Sequence, residues 1–497
     1  MDAMKEKRRW PLTLIIIAAV VIVSSAIIYN YRDVPGRLPV SAINAGASAV
    51  SDRAKGVIIA WQNNRDIYAQ RVDSSGQIKW QRGGVLIGTC LPGSGFDLQS
   101  DGLGGAIITW NDRTGIPDDH DDPAYFDPVP FHAQRISNGG ELLWSNTLVS
   151  AGRKWQFIPD GTGGAIFAWD GYKTYYKGLR DDYLRLQRIA PDGSRLWGEE
   201  SVLIVASSPF RPVTPEETAS GVKGIAFRSR PTYEGTHYIV TDGAGGVIVL
   251  WEKDTGGEDN RVYAQRLDGE GNYVWPDKVT TAATELISAG SDGEDGVKIG
   301  TPQITGTAAG TVIAYARKNS DGEVLPTLNW QPGITMTIDD GLGGSFHIRV
   351  EERTTFPPRT WHYTHYIQRF DGSGQAVWPE KLLFSEEMNI IAAEYIADGT
   401  GGVIIIWESK KASLPYDILA RRLDAGGSIK WGKEGTPVFN LADIKYQAIV
   451  NTFSDGSGGA IIVAVVGKGA LSGDMVYAQR LDMDGNRLWG DGVRIDR

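Results

Sequence analysis

Cysteine is nearly absent from this chain. Cys90 is the single cysteine among 497 residues, which excludes disulfides within one chain and cysteine-based metal clusters. The sequence also lacks an Asn-x-Ser/Thr acceptor, which argues against a glycosylated eukaryotic secreted protein. Beyond the N-terminus no dense block of Lys and Arg occurs, and the formal net charge is −10. Such a chain repels nucleic acid, so we expect no nucleic-acid partner.

The motifs of common enzyme classes are missing as well. No nucleophile elbow, zincin motif or phosphate-binding loop occurs, and only His362 and His365 of the six histidines are closely spaced. A glycosidase needs two carboxylates roughly 5–10 Å apart, and the 60 acidic residues are enough to supply such a pair. The pattern favours a protein that is not an enzyme and leaves carbohydrate chemistry open.

An apolar segment is present near the N-terminus. Residues 11–29 read PLTLIIIAAVVIVSSAIIY, which suffices for one bilayer crossing at about 1.5 Å per residue. The basic residues Lys5, Lys7, Arg8 and Arg9 precede it and should remain in the cytoplasm. A cleaved signal peptide is the alternative, but Ile27 and Ile28 continue past the small residues that could be cleaved.

The chain therefore divides into four predicted parts. We expect a basic cytoplasmic N-terminus at 1–10, a transmembrane signal anchor at 11–31, a short linker at 32–45 and a folded domain at 46–497. The anchor would make this a single-pass protein of the cell membrane. Its C-terminal domain would be extracytoplasmic, at a prokaryotic cell surface.

One sequence unit recurs along the folded domain and has two halves. The first half is Asp-Gly-x-Gly-Gly followed by small apolar residues and usually Trp, as in DGLGGAIITW at Asp101–Trp110. The second half is Gln-Arg, then Gly five residues after the Arg and Trp four residues later. In one copy Arg421 replaces the Gln. The seven second halves end at Trp80, Trp144, Trp197, Trp275, Trp378, Trp431 and Trp489.

Each unit predicts four antiparallel strands. The glycine turn joins a short strand to a buried Val/Ile strand, an alternating segment around Gln-Arg follows, and a second turn leads to a Leu-Trp strand. A four-stranded unit of roughly 50–60 residues has the size of a propeller blade. The predicted fold is all-β: a β-propeller of seven or eight four-stranded blades, preceded by a single transmembrane helix. Eight is favoured because Gly306–Tyr315 resembles a degenerate first half.

The spacing Asp-x-x-Gly-x-x-x-Trp resembles the tryptophan-docking repeat of quinoprotein-like propellers and of the outer-membrane assembly lipoprotein propeller. Those repeats carry one residue more between Asp and Gly. The whole unit is similar to repeats of secreted or surface-anchored prokaryotic propeller proteins. The resemblance covers about residues 45–497. It implies the fold and little about function, because one fold serves many functions.

The recurring side chains have a structural and a functional interpretation. A Trp present in every blade favours packing between blades, since a buried indole removes about 150–250 Å² from water. The Arg of each Gln-Arg pair is expected to bond backbone carbonyls or the turn aspartates. A ring of arginines that binds an anion is the alternative.

The two tight turns of each unit should lie at one end of the blades, and the long variable connections at the other. Binding usually resides on such loops. Asp118, Asp119, Asp121 and Asp122 form a candidate Ca²⁺ site near His120. An aromatic platform for a sugar or peptide is the second candidate. Its residues are Trp361, His362, Tyr363, His365, Tyr172, Tyr175 and Tyr176.

These observations predict a membrane-anchored binding or scaffold module for a protein or surface-glycan partner. A carbohydrate-active hydrolase or lyase that uses the long-loop face is the alternative. A quinone-dependent dehydrogenase is a third possibility, based on the docking-like repeat alone. No cofactor other than Ca²⁺ is expected. Three or more charged side chains converging in the central channel would favour an enzyme.

Overall fold

The computed structural model is built of β-strands and describes most residues between 46 and 496. Within that range it leaves out 91–94, 112–128, 145–146, 153, 175–179, 208–209, 213–224, 228–236, 243, 254–260, 276–278, 281–287, 292–296, 302–313, 319–323, 326–335, 356–359, 385–389, 411–415, 433, 443, 445 and 468–474. The described residues contain no helix, and so none long and apolar enough to cross a bilayer. The predicted anchor, its flanks and the linker lie outside the described residues and remain predictions.

Sheets 1 to 4 are antiparallel meanders, each pairing its strands in chain order. Sheet 1 contains β1 (Ala47–Ser51), β2 (Val57–Asn63), β3 (Asp66–Val72) and β4 (Val85–Thr89). Sheet 2 contains β5 (Phe96–Ser100), β6 (Ala106–Asn111), β7 (Val129–Ile136) and β8 (Thr147–Gly152). Sheet 3 contains β9 (Lys154–Pro159), β10 (Ala165–Thr174), β11 (Arg180–Ile189) and β12 (Val202–Ser207). After the small hairpin β13 (Phe210–Pro212) and β14 (Ile225–Phe227), sheet 4 contains β15 (His237–Thr241), β16 (Val247–Lys253), β17 (Arg261–Leu267) and β18 (Val279–Thr280).

Sheets 5 to 8 follow the same order. Sheet 5 contains β19 (Ser288–Ser291), β20 (Val297–Thr301), β21 (Ala314–Lys318) and β22 (Val324–Leu325). Sheet 6 contains β23 (Met336–Asp339), β24 (Ser345–Thr355), β25 (Thr360–Phe370) and β26 (Ala376–Phe384). Sheet 7 contains β27 (Ile390–Ala397), β28 (Val403–Lys410), β29 (Tyr416–Leu423), β30 (Ile429–Lys430) and β31 (Thr436–Pro437). Sheet 8 contains β32 (Tyr446–Ser454), β33 (Ala460–Gly467), β34 (Met475–Leu481) and β35 (Val493–Arg494).

The sheets pack side by side and close into a ring. Apolar side chains of sheet 1 pack against those of sheet 2, sheet 2 against sheet 3, and sheet 3 against sheet 4. Sheets 6, 7 and 8 pack in the same way, and sheet 8 packs against sheet 1. The first strands of neighbouring sheets also contact one another, from β1 to β5, β9, β15 and β19, and from β23 to β27, β32 and back to β1. The first strands therefore surround the centre, as in a β-propeller.

In sheets 1 to 4, 7 and 8 the second strand forms the core because it is apolar on both faces. All eight residues of β33 are buried, and in β2 five consecutive residues from Val57 are buried. The glycine that precedes β2 is required by close packing. A Cβ on Gly56 would lie 2.4 Å from the carbonyl oxygen of Val72 and 2.5 Å from Asp52 Oδ2. The glycine-rich turn thus lets the backbone of the first turn lie directly against the third strand.

The predicted all-β fold of repeated four-stranded sheets is confirmed, but the fourth strand was misplaced. In sheets 1 to 4 and 8 the segment before the Trp makes only one isolated bridge, such as Val72 with Ile78, and the fourth strand follows the Trp. The reason is that the backbone N–H of the Trp bonds a glutamine side chain instead of a neighbouring strand.

Two other predicted segments also differ from the structure. Ala314 and Tyr315, which end the predicted degenerate first half, begin the third strand of sheet 5 rather than form its second strand. Residues 359–366 were expected in a loop, but residues from Thr360 onward belong to β25. Threonines and aromatic residues are common there, and such residues favour a strand over a loop.

Candidate functional site

We call the end of the sheets that carries the Asp-Gly and Asp-x-x-Gly turns the tight-turn face. The turn aspartates define its geometry. In sheet 2, Asp101 Oδ1 accepts hydrogen bonds from the backbone N–H groups of Leu103 and Gly105, each at 2.8 Å. Asp101 Oδ2 accepts one from Arg135 Nε at 2.9 Å. Equivalent buried ion pairs occur in seven sheets: Asp52–Arg71, Asp101–Arg135, Asp160–Arg188, Asp242–Arg266, Asp340–Arg369, Asp398–Arg422 and Asp455–Arg480.

In three of these pairs the hydrogen bonds lower the pKa of the turn aspartate. Burial by itself raises the pKa of Asp160, but the Thr162 N–H and the Arg188 guanidinium stabilise the charged form and lower the pKa below its ordinary value. Burial and hydrogen bonding oppose each other in the same way at Asp340 and Asp455, and the net pKa of both is also lowered. These three carboxylates are thus held as structural anions.

In six of the seven second halves the arginine and the tryptophan reach into the next unit that carries the repeat. Arg135 Nη1 and Trp144 Nε1 both donate to the carbonyl oxygen of Pro191 in sheet 3, each at 3.1 Å. Arg480 Nη1 and Trp489 Nε1 donate to the carbonyl oxygen of Ser74, which joins sheet 8 to sheet 1. The other shared acceptors are the carbonyls of Asn138, Gly269, Ala425 and Met483.

Glutamine orients the tryptophan that makes this bond. Gln70 Oε1 accepts hydrogen bonds from the backbone N–H groups of Arg71 and Trp80, each at 2.9 Å. The same pair of bonds occurs in sheets 2, 3 and 8. All seven repeat tryptophans, Trp80, Trp144, Trp197, Trp275, Trp378, Trp431 and Trp489, are at least 92% buried. The recurring polar groups of the tight-turn face are therefore engaged in holding neighbouring sheets together.

Sheet 7 departs from this pattern at Arg421. An arginine cannot accept a hydrogen bond, and Trp431, whose N–H would have been bonded, has a φ of 60°. Arg421 Nη1 donates instead to the carbonyl oxygen of Leu383 at 2.8 Å, and its guanidinium lies 5.5 Å from the centre of the Trp407 ring. Burial lowers the pKa of Arg421, while Glu434 opposes this shift.

We call the opposite end of the sheets the long-loop face. Among the described residues, strand pairing continues farther toward this face in two hairpins than in the others. In sheet 1 the second and third strands pair as far as Asn63 with Asp66, two residues beyond Trp61. In sheet 3 pairing continues to Thr174 with Arg180, and in sheet 6 to Thr355 with Thr360. Relative to sheet 1, these hairpins are longer by about 10 Å and 13 Å at roughly 3.3 Å per residue.

The structure assigns the predicted aromatic residues to these hairpins. Trp361, His362 and Tyr363 occupy β25 opposite Thr354, Arg353 and Glu352. Tyr172 occupies β10 opposite Asp182 in sheet 3. Sheets 4 and 5 lie between the two groups in chain order. Tyr175 and Tyr176, and the candidate calcium ligands Asp118, Asp119, Asp121 and Asp122, lie outside the described residues.

His365 is separated from any exposed platform because it is buried between sheets 6 and 7. Its Nδ1 is hydrogen-bonded to the hydroxyl of Tyr395 on β27. Burial lowers the pKa of His365 to about 4 and raises the pKa of Tyr395. The imidazole is therefore neutral at physiological pH and serves as a contact between sheets.

The first strands carry polar side chains around the centre of the ring. They occur four residues before the turn aspartate, as in Gln156, whose Nε2 donates to the carbonyl of His237 at 3.0 Å. Asn451 Oδ1 accepts from the Ala49 N–H at 2.8 Å across the closure between sheets 8 and 1. Gln156 and Asn451 thus both bond the first strand of a neighbouring sheet.

Two carboxylates occupy this central position in the described part of the ring. Glu394 Oε2 accepts a hydrogen bond from Thr452 Oγ1 at 2.7 Å. Burial raises the pKa of Glu394, and this hydrogen bond offsets the shift only in part. Asp97 is exposed and accepts a hydrogen bond from its neighbour Leu98 N–H.

Sequence reasoning missed a set of polar residues at the long-loop face. They follow the Trp of the first half directly: Gln62, Asn111, Asp170 and Glu408. Glu408 is 5% exposed, and its Oε1 accepts a hydrogen bond from the Ile449 N–H at 3.0 Å. The signal that could have found them is a polar residue at one position of a repeat whose neighbouring positions are apolar.

No protein-family model and no curated protein matches this chain. Among solved structures it is similar to prolyl oligopeptidase B from Galerina marginata, with TM-score 0.36 and 11% identity over 97% of this chain and 55% of that one. It thus spans about half the length of that protein. It is also similar to the propeller domain of the Trilobed protease from Pyrococcus furiosus, with TM-score 0.33 and 11% identity over 65% of this chain and 90% of that one. A third is endo-arabinase from Bacteroides thetaiotaomicron, with TM-score 0.24 and 14% identity over 46% of this chain and 88% of that one. Similarities this weak carry no information on function.

Proposed function

We propose that the chain is a membrane-anchored, extracytoplasmic propeller of eight blades that binds a protein or surface-glycan partner through its long-loop face. One blade, sheet 5, has diverged from the repeat sequence. The anchor is the apolar segment 11–31. The absence of recognisable catalytic motifs favours binding over catalysis.

The observation that carries this proposal is the unequal use of polar groups at the two ends of the ring. At the tight-turn face the repeated Asp, Arg and Trp groups bond the ring itself, as Arg480 and Trp489 do with Ser74. The residues at the long-loop face differ from sheet to sheet, and in the described part of the chain strand pairing extends farthest in the hairpins of sheets 3 and 6. Variable residues on a rigid scaffold are the usual position of a binding site.

A matched pair of variants tests the choice of face. The full chain in lipid nanodiscs is probed on a glycan array and by crosslinking in native membranes. Replacing Trp361 and Tyr363 by Ala should weaken binding of the identified partner at least tenfold. Replacing Leu103 and Leu342, which are 58% and 64% exposed at the tight-turn face, by Ala should leave it unchanged. Weakened binding in the second variant and normal binding in the first would contradict the proposal.

Glu394 supports a second candidate, a hydrolase or lyase acting on carbohydrate. A carboxyl group whose pKa is raised by burial can act as a general acid, and Glu394 lies on a first strand near the centre of the ring. Any glycan that binds should be tested for turnover with the wild type and with Glu394→Gln. Turnover that is lost in Glu394→Gln while glycan binding persists would favour the enzyme.

A further inference from the structure

Side chains along the first strands alternate between the two neighbouring sheets, with sheet 1 following sheet 8. Three residues before the turn aspartate is a buried side chain that packs against the preceding sheet: Ala49, Leu98, Phe157, Ile239 and Tyr395. Two residues before the aspartate is a partly buried side chain that packs against the following sheet: Val50, Ile158, Ile338, Ile396 and Phe453. Because successive side chains of a strand point to opposite faces, the residue four positions before the aspartate also faces the following sheet. The first strands surround the centre of the ring, so the partly exposed side chains at these two positions border that centre.

The two positions form two layers of different chemistry around the centre. The layer nearer the tight-turn face, which we call the apolar layer, is interrupted only by Gln99 among the described first strands and consists of Val50, Ile158, Val240, Ile338, Ile396 and Phe453. Two residues farther from the turns, or about 7 Å, lies the polar layer: Ser48, Asp97, Gln156, Tyr238, Glu394 and Asn451. Asp97 is the second residue of β5, so the polar layer lies close to the long-loop face.

The two carboxylates of the polar layer lack a counter-charge. Gln156 bonds the first strand of the following sheet through both its oxygen and its nitrogen. Asp97 accepts a hydrogen bond only from the N–H of its neighbour Leu98, and Glu394 accepts one only from Thr452 Oγ1. Among the described residues neither carboxylate forms an ion pair, whereas the seven turn aspartates each pair with an arginine.

An aliphatic amine has the chemistry that this centre requires. An ammonium group donates strong hydrogen bonds to carboxylates, and an alkyl chain removes apolar surface from water when it lies against apolar side chains. Burial raises the pKa of Glu394, and a cation beside this carboxyl group stabilises its charged form. A neutral hydroxyl group would leave both carboxylates without a counter-charge.

We propose that the centre of the ring binds an aliphatic diamine, with its ammonium groups at Asp97 and Glu394 and its alkyl chain along the apolar layer. The two carboxylates lie on sheets 2 and 7, which sheets 8 and 1 separate, so each can take one ammonium group of the same ligand. This site does not depend on a partner at the long-loop face. An ammonium group beside Glu394 keeps its carboxyl group ionised, so diamine binding and a general-acid role of Glu394 exclude each other.

Isothermal titration calorimetry of the full chain in phosphatidylcholine nanodiscs tests the site, with 1,5-diaminopentane as the probe. The wild type should bind the diamine and should not bind 1,5-pentanediol, which has a similar length and no charge. Asp97→Asn and Glu394→Gln should each weaken diamine binding by about tenfold or more, because each removes a charged acceptor. Absence of diamine binding to the wild type, or equal binding of the diol, would overturn the proposal.

A charge-matched control separates this site from general attraction of cations to a chain with a net charge of −10. Glu270→Gln with Asp484→Asn removes two exposed carboxylates of the tight-turn face and should leave the Kd for the diamine unchanged. Asp97→Asn with Glu394→Gln should abolish binding, and equal weakening in the two double variants would refute a specific site. Urea unfolding verifies that each variant is folded. Asp97 is exposed, so Asp97→Asn alone decides the test if Glu394→Gln does not fold.

The length of the ligand tests the contact with the apolar layer. The Kd for 1,5-diaminopentane should be severalfold lower than the Kd for 1,2-diaminoethane, because each buried methylene group contributes to binding. Equal affinities of the wild type for the two diamines would show that the alkyl chain does not contact the apolar layer, and this part of the proposal would be wrong.

Discussion

The closure of the ring can be tested at a single glycine. Gly76 has a φ of 85° and lies under the indole of Trp489, so a Cβ there would be 2.7 Å from Trp489 Cδ1. Gly83 has the same φ of 85°, but a Cβ there would meet nothing within 4 Å. Replacing either by Ala imposes the same backbone strain of about 1–2 kcal/mol. Gly76→Ala must in addition displace an indole that joins sheet 8 to sheet 1, which costs about 1–3 kcal/mol more.

The assay is urea unfolding of the full chain in detergent, followed by tryptophan fluorescence, with unfolding rates compared if refolding is incomplete. We expect Gly83→Ala to lower the free energy of unfolding by about 1–2 kcal/mol and Gly76→Ala by about 2–5 kcal/mol. The difference between the two variants measures the contact across the closure. Equal losses in both would show that Trp489 does not pack on the first sheet, and the ring argument would fail.

Three further predictions concern side chains between the sheets. Arg421→Gln should raise the free energy of unfolding by about 1 kcal/mol, because Gln restores the acceptor for the Trp431 N–H and relieves its positive φ; a lower unfolding midpoint would contradict this. His365 has a folded pKa of about 4, below the unfolded value of about 6.5, so the free energy of unfolding should fall as the pH falls from 6.5 to 4. In His365→Gln the dependence of this free energy on pH should be weaker by the slope that corresponds to the uptake of about one proton. Asp455 has a lowered folded pKa, so its contribution to the free energy of unfolding should be present at neutral pH and lost as the pH falls below about 4. Asp455→Asn should lower the free energy of unfolding by about 3–5 kcal/mol at pH 7, and this variant should lose less stability than the wild type on acidification.

The repeat predicted the sheet architecture because its signal is local. Asp-Gly-x-Gly-Gly specifies a turn in which Asp101 bonds backbone groups two and four residues later, and the Val/Ile run after it can only be a buried strand. These interactions span only a few residues, so they can be predicted from a short stretch of the sequence. The sequence did not predict the position of the fourth strand, because that depends on a side-chain bond between Gln70 and Trp80.

The candidate site was predicted less well than the fold. Residues around Trp361 were placed on the correct hairpin, but the segment forms strand β25 rather than a loop. His365 was grouped with its aromatic neighbours, although it is buried against Tyr395 of the next sheet. Whether neighbouring residues in a strand face solvent or another sheet depends on a partner far away in the sequence. The residues near it in the sequence do not identify that partner.

The sequence by itself determined that this chain repeats one four-stranded unit, because turn and strand preferences act over a few residues. The sequence also predicted that the recurring Arg binds backbone carbonyls or turn aspartates, but only the tertiary structure decided which carbonyl of which sheet the Arg and Trp bind. Arg480 and Trp489 both donate hydrogen bonds to the carbonyl oxygen of Ser74, which lies more than 400 positions away in the sequence. Contacts at that separation arise from the closure of the ring, and closure is a property of all the sheets together.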